Sequence, residues 1–251
     1  MAENSSAEKD ESVQDSVAER TGTKAILAGG TMLALATMAA AAGNYILNIL
    51  LGRWLGAADF SDVNLMVTLM LLVTAIAISV QLIASRFSGQ HHVAGTNDQA
   101  DQLARWLEQR SIAVGVGLAA LLVLGAPIWS EFFRTESAWP FVILGLGMPF
   151  YLAQGVGRGV LQGRLKFGSL AMTYVVEMVA RLGVSVLAVV LGFGVSGATF
   201  GLSVSFVATW LAVRWAEGRR APGAAPTDQL RSVITYTGPV AVLLVLSLIH
   251  I

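Results

Sequence analysis

Long uncharged stretches alternate with short polar ones along most of this chain. No charged residue lies between Lys24 and Arg53. The next uncharged runs are 63–85, 111–130 and 137–157. A fifth apolar segment, 168–190, contains Glu177 and Arg181. A sixth runs over about 196–215, and a seventh begins near Val233. A helix crosses a bilayer with about 20 apolar residues. Strands of an outer-membrane barrel are about 10 residues long and alternate in polarity. The pattern therefore predicts an all-α polytopic bundle of six complete transmembrane helices and a partial seventh. The expected divisions are a disordered acidic cytoplasmic tail (1–23), a six-helix transmembrane lobe (24–216), a cytoplasmic linker (217–231) and the start of a seventh helix (232–251).

Composition sharpens the class. The 251 residues are 55% hydrophobic and 13% charged, against about 25% charged in a soluble domain. There is no cysteine, and His91, His92 and His250 are the only histidines. Thiolate chemistry and Cys-type metal sites are excluded. No metal, cofactor, catalytic group or nucleic-acid partner is expected; the lipid bilayer is. Gly155-Val156-Gly157-Arg158-Gly159 loosely matches a phosphate-binding glycine loop but lacks a preceding strand.

The sixteen basic and sixteen acidic residues cancel, but their positions carry information. Residues 1–20 hold six acids and no early apolar run, unlike a cleavable signal peptide. Lys9, Arg20 and Lys24 precede the first span. Arg86, Arg105 and Arg110 lie between the second and third spans, and Arg158, Arg164 and Lys166 between the fourth and fifth. Arg214, Arg219, Arg220 and Arg231 follow the sixth. The opposite side has only Arg53 and Arg134. The positive-inside rule then puts the N-terminus in the cytoplasm. Trp54, Trp129 and Trp139 fall at outer helix ends, and Trp106, Trp210 and Trp215 at inner ends, as an aromatic belt would have them. The stretch 99–110 reads equally as a helix on the inner leaflet or as an extension of the third span.

Polar residues within the spans form stripes. At 100° per residue, Thr37, Asn44 and Asn48 fall within about 40° of one another, as do Thr74, Gln81 and Ser85. Thr173, Glu177 and Arg181 follow at four-residue steps. Amides and charges facing lipid are costly, so these stripes face one another or a watery cavity. Glu177 and Arg181, spaced i and i+4, can pair on one helix face; they read either as a structural ion pair or as cavity charges. A guanidinium there could hold a phosphate bidentately. Gly155, Gly159 and Gly163, Gly197 and Gly201, and the small residues 39–43 suit close helix contacts. Gly147 with Pro149, and Gly238 with Pro239, are candidate hinges.

Two stretches then resemble a known family. Asn48-Ile49-Leu50-Leu51-Gly52-Arg53-Trp54-Leu55-Gly56-Ala57-Ala58-Asp59-Phe60 resembles the exit from the first helix of polysaccharide flippases. Gly159-Val160-Leu161-Gln162-Gly163-Arg164-Leu165-Lys166-Phe167 resembles their entry to the fifth. Glu177 to Leu182 and Gly194-Val195-Ser196-Gly197-Ala198 resemble the rest of that block. The chain is identified as a member of the Wzx-like branch of the multidrug/oligosaccharidyl-lipid/polysaccharide (MOP) exporter superfamily over about residues 24–245. The resemblance implies flipping of a polyprenyl-pyrophosphate-linked sugar across a bacterial inner membrane, between two six-helix lobes around a cationic cavity. Family members have about twelve to fourteen helices, so this chain is expected to be an N-terminal lobe that needs a C-terminal lobe or a second copy. Leu246-Ser247-Leu248-Ile249-His250-Ile251 is one translation of CTG TCT CTT ATA CAC ATC, which resembles a transposon-derived adapter; the natural frame is expected to end near Val245.

The expected site is Arg181 positioned by Glu177, with Asn44, Asn48 and Gln81 offering hydrogen bonds to sugars. Two alternatives remain: a cation-coupled drug exporter with Glu177 as coupling carboxylate, or a non-transporting membrane scaffold that uses the stripes for packing.

Overall fold

The structure, a computed structural model, describes the backbone of residues 2–223 and the side chains of 27–223. Among the described residues it is helical throughout, without strands. The helices are α1 (Ala2–Trp54), α2 (Gly56–Val93), α3 (Asn97–Leu124), α4 (Ala126–Phe133), α5 (Trp139–Gly163), α6 (Phe167–Val190) and α7 (Gly194–Glu217). Six are long and apolar enough to cross a membrane; α4 is the exception. The expected seventh span, the Gly238-Pro239 pair, most of the 217–231 linker and residues 246–251 lie outside the described residues.

Three local features bear on these readings. First, α1 begins at Ala2, and only Leu27–Trp54 of it has the length and hydropathy of a span. Residues 1–20 contain no glycine or proline and carry Ala, Glu and Lys, so nothing interrupts the ladder running back from the span. Second, residues 99–110 are the first turns of α3 and not a helix lying on a leaflet. Leu103 and Leu107 are buried there against Ile83 and Phe87 of α2 and Val156 and Val160 of α5. Third, the 111–130 run breaks at Gly125. Pro127, at the start of α4, has no N–H to continue the α3 ladder.

The turn from α1 to α2 is a single residue, Leu55. Gly56 opens α2 at φ +77°, a left-handed conformation that a Cβ would strain. This accounts physically for the Leu-Gly of the first family-like stretch.

The central helix is α5. Of its most apolar window 72% is buried, against 11% for α1. It packs on α2, α3 and α7, while α1 leans mainly on α6. Phe141, Leu144, Met148 and Leu152 of α5 meet Met66 and Met70 of α2 and Leu202 and Phe206 of α7 in the largest apolar cluster. Lipid gives helices no hydrophobic reason to associate, so backbone approach and interhelical hydrogen bonds matter more. The glycine repeat of α5 supplies that approach to α2. A Cβ on Gly155 would lie 3.0 Å from the Ala77 carbonyl oxygen. One on Gly159 would fall on the Gln81 carbonyl oxygen, and one on Gly163 would lie 2.8 Å from the Gly89 nitrogen. Gly115 of α3 crosses against Pro149, and Gly201 of α7 sits on the Ser185 backbone of α6. Gly147 of α5 faces Ser203 and Phe206 of α7. Polar links add to these: Thr74 with the Tyr151 hydroxyl at 2.7 Å, Ser203 donating to the Ile143 carbonyl at 2.8 Å, and Ser185 donating to the Ala198 carbonyl at 3.0 Å.

The outer surface is apolar, with Leu27, Met38, Leu124, Val190 and Phe193 all exposed, as a lipid-facing surface requires. Trp54, Trp139 and Trp215 are exposed at helix ends. Trp129 instead donates to the Leu121 carbonyl at 3.0 Å, and Trp210 to Glu108 at 3.0 Å.

Gly159→Ala is expected to destabilise the bundle by about 1–3 kcal/mol through overpacking. Gly30→Ala, whose Cβ meets nothing within 4 Å, is expected to be neutral or mildly stabilising. Thermal unfolding followed by circular dichroism in detergent checks the pair.

Candidate functional site

The polar side chains of α5 and α6 converge near mid-bundle. Thr173, Glu177 and Arg181 recur every fourth residue on α6, so the helical period alone stacks them on one face. Glu177 and Arg181 pair directly through Glu177 Oε1. The other carboxylate oxygen, Oε2, accepts from Arg158 Nη2 of α5 at 2.7 Å. One carboxylate therefore serves two guanidiniums, and the cluster carries one positive charge in excess.

The two arginines are held differently. Arg158 donates through Nε to the Thr173 hydroxyl and through Nη2 to the Thr173 carbonyl, both at 3.2 Å. Its guanidinium lies 4.1 Å from the Tyr174 ring centroid. Thr173 is fully buried, and its hydroxyl donates to the Leu170 carbonyl at 2.7 Å. Apart from Glu177, Arg181 contacts side chains of two other helices: Nη1 to Asn44 Oδ1 of α1 at 3.2 Å and Nε to Ser205 Oγ of α7 at 3.4 Å. The Phe206 ring centroid is 5.9 Å away. Through this cluster α1, α5, α6 and α7 are tied together by charged hydrogen bonds.

Arg181 lines a cavity of about 240 Å³ bounded by α1, α2, α6 and α7. Asn44, Asn48, Ser185 and Thr199 supply its other polar groups, and Leu47, Val63, Met66 and Leu202 its apolar wall. Asn48 and Leu71 on its rim are exposed, while Ser185 and Thr199 are each 1% exposed. The cavity thus runs from the lobe surface inward to the guanidinium. Such a site offers a cation at the end of a largely apolar cleft with amide and hydroxyl groups along one side. Its charge and lining suit an anionic group attached to an apolar body.

Of the predicted site residues, Arg181, Glu177, Asn44 and Asn48 come together. Asn48 Nδ2 also donates to the Asn44 carbonyl at 3.1 Å. Gln81 does not join them: it donates to Gln162 of α5 at 3.2 Å, further along α2, and lines no part of this cavity. Its place on the Thr74 stripe is real, but that stripe faces α5. Arg158 is the residue that sequence reasoning missed. It counts with the loop cations in the charge pattern, yet it lies inside α5 and is buried. Its position between Gly155 and Gly159 was the available signal, since a charge inside a tightly packed small-residue repeat must find a partner. Gly147 and Pro149 lie within an unbroken α5, packed against α7 and α3.

A second ion-pair network occupies the end of the bundle where α5 and α7 finish. Glu108 of α3 accepts from Trp210 and from Arg214 and Arg220 at 3.1 and 2.6 Å. Arg220 also pairs with Glu217 at 2.6 Å, and Arg164 with Asp101 at 2.6 Å. Asp101 accepts from the Ala221 N–H at 3.1 Å, and Arg105 donates to the Gly223 carbonyl at 2.9 Å. The start of the expected linker is therefore fastened to α3.

The fold is that of about half of a MOP-superfamily transporter. The chain aligns with a MOP superfamily transporter from Pyrococcus furiosus at a TM-score of 0.73 and 17% identity, over 88% of this chain and 52% of that one. It aligns with the outward-facing conformation of a multidrug resistance MATE family transporter of the MOP superfamily at a TM-score of 0.68 and 20% identity, over 88% and 52%. The chain belongs to the polysaccharide biosynthesis protein family, whose model matches residues 50–249. It is also 28% identical over 131 residues to the uncharacterized protein Rv1510 of Mycobacterium tuberculosis strain ATCC 25618 / H37Rv, covering 47% of this chain and 30% of that relative. The chain thus spans under a third of the curated relative and about half of the solved structures it matches.

Two outcomes follow. The chain has no native cysteine, so single thiols report water access. Asn44→Cys and Asn48→Cys are expected to react with a charged methanethiosulfonate reagent, and Gln81→Cys and Thr173→Cys to stay unreacted; mass spectrometry reads the adducts. Glu108→Ala is expected to cost about 1–3 kcal/mol by removing the acceptor shared by Trp210, Arg214 and Arg220, although Arg220 keeps Glu217, read as a lowered midpoint in chemical unfolding.

Proposed function

We propose that this chain is one lobe of a transporter that carries a polyprenyl-pyrophosphate-linked oligosaccharide across a bacterial inner membrane for cell-surface polysaccharide biosynthesis. The observation that carries the reading is Arg181 at the inner end of the cavity, in a cluster with positive charge to spare. A pyrophosphate diester has the charge for that guanidinium. The apolar wall of Leu47, Val63 and Met66 suits the start of an isoprenoid chain, and Asn44 and Asn48 can hydrogen-bond sugar hydroxyls. Membership of the polysaccharide biosynthesis family supports the substrate class. The likeness in fold to two-lobed exporters supports alternating access, with a second lobe or a second copy completing the cavity and the N-terminus cytoplasmic. Movement of one lobe against the other, with α5 flexing at Gly147 and Pro149, would expose the head group to each side in turn. No bond is made or broken.

The fold likeness to a multidrug exporter favours a second reading, in which Glu177 couples cation entry to drug export. The excess positive charge weighs against it, because a cationic drug would meet Arg181 first.

The chain in phosphatidylcholine nanodiscs is titrated with farnesyl pyrophosphate. Arg181→Ala is expected to weaken binding on the order of ten- to a hundred-fold, the worth of a charged hydrogen bond, with membrane insertion unchanged. Equal binding by both proteins rejects the cavity role. Binding of a lipophilic cation that Glu177→Gln abolishes, without pyrophosphate binding, would favour the drug exporter.

A further inference from the structure

Glu177 poses a problem for any anion site built on Arg181. Their i, i+4 pairing satisfies the guanidinium internally. An incoming anion must compete with that carboxylate, and a carboxylate abandoned inside the bundle is costly. Arg158 answers both difficulties. It approaches Glu177 from α5 on the oxygen that Arg181 does not use, at 2.7 Å. Its own place does not depend on Glu177, because Thr173 takes two of its hydrogen bonds and Tyr174 stacks beneath it. Arg158 is not among the residues that line the cavity, whereas Arg181 is. Beyond Glu177, Arg181 reaches the side chains of Asn44 and Ser205, at 3.2 and 3.4 Å, whereas Arg158 also donates to the Thr173 backbone carbonyl.

We infer that Arg158 is a positioning residue: its separate ion pair with Glu177 keeps that carboxylate matched, so that Arg181 can turn from Glu177 to a phosphate or pyrophosphate group in the cavity. The inference rests on the anion-binding reading of that cavity. Without ligand, two guanidiniums share one carboxylate. With ligand, each anion has its own guanidinium: Arg158 keeps Glu177, and Arg181 holds the phosphate oxygen. The exchange is a rotation of one side chain and needs no proton transfer. If Arg158 were absent, Arg181 would be the sole partner of Glu177 and would be held there.

The test is farnesyl pyrophosphate titration of the full chain in phosphatidylcholine nanodiscs, with thermal unfolding recorded for each protein. Arg158→Gln is expected to weaken binding about tenfold or more. The double variant Arg158→Gln/Glu177→Gln removes the competing carboxylate as well and is expected to bind at least as tightly as the unaltered chain. A merely structural role for Arg158 would not produce that rescue. If Arg158→Gln alone does not fold, the double variant is compared with Glu177→Gln. The two are expected to agree within about threefold, because Arg158 acts only through Glu177. Unchanged binding in Arg158→Gln, a double variant as weak as the single, or a larger gap between the two Glu177→Gln proteins overturns the inference and leaves the cavity reading standing. Failure of the unaltered chain to bind overturns both.

Discussion

Glu177 sits between two guanidiniums in the middle of a bundle whose outer surface is apolar, where an unmatched charge would cost several kcal/mol. Matching it requires α5 and α6 to be in register, since Arg158 and Glu177 come from different helices. It also draws in α1 through Asn44 and α7 through Ser205. The cluster is therefore both a structural constraint and the source of the cavity's positive end.

That register is possible because the helices approach closely elsewhere. Along α5, glycines at 155, 159 and 163 let its backbone lie on α2, and Gly147 admits Ser203 and Phe206 of α7. The same helix thus carries the close contacts and the buried Arg158. Helix α1, which packs mainly on α6, and α6, which packs mainly on α7 and α1, are far more exposed, and the cavity opens on the α1 side. The cleft lies where α1, α2, α6 and α7 meet, beside the close α6–α7 contact at Gly201 and Ser185.

At the opposite extremity, the Glu108, Arg220 and Glu217 contacts hold the chain leaving α7 against α3. The chain belongs to the polysaccharide biosynthesis family and has the fold of about half a MOP transporter. Its cavity draws residues from α1, α2, α6 and α7, while α5 is the central helix of the bundle.

Hydropathy and run length were enough to find the six spans, because twenty apolar residues have few other stable outcomes. Helix α2 nevertheless extends past both ends of the 63–85 run, and α3 begins well before residue 111 and ends at Leu124. The glycine spacing announced close contacts, and the i, i+4 rule announced the Glu177–Arg181 pair, because both are properties of a single helix. Partners on other helices were not legible. Gln81 shares a stripe direction with cavity candidates on α1 but turns to Gln162, and Arg158 reads as a loop cation until α5 is seen to continue to Gly163. The rotation of each helix about its own axis depends on which neighbour its small residues admit, and that is a property of the packed bundle. Sequence by itself determined the spans, the charge asymmetry and the family; only the tertiary structure decided that one carboxylate is shared by two arginines, because that sharing requires two helices in a given register.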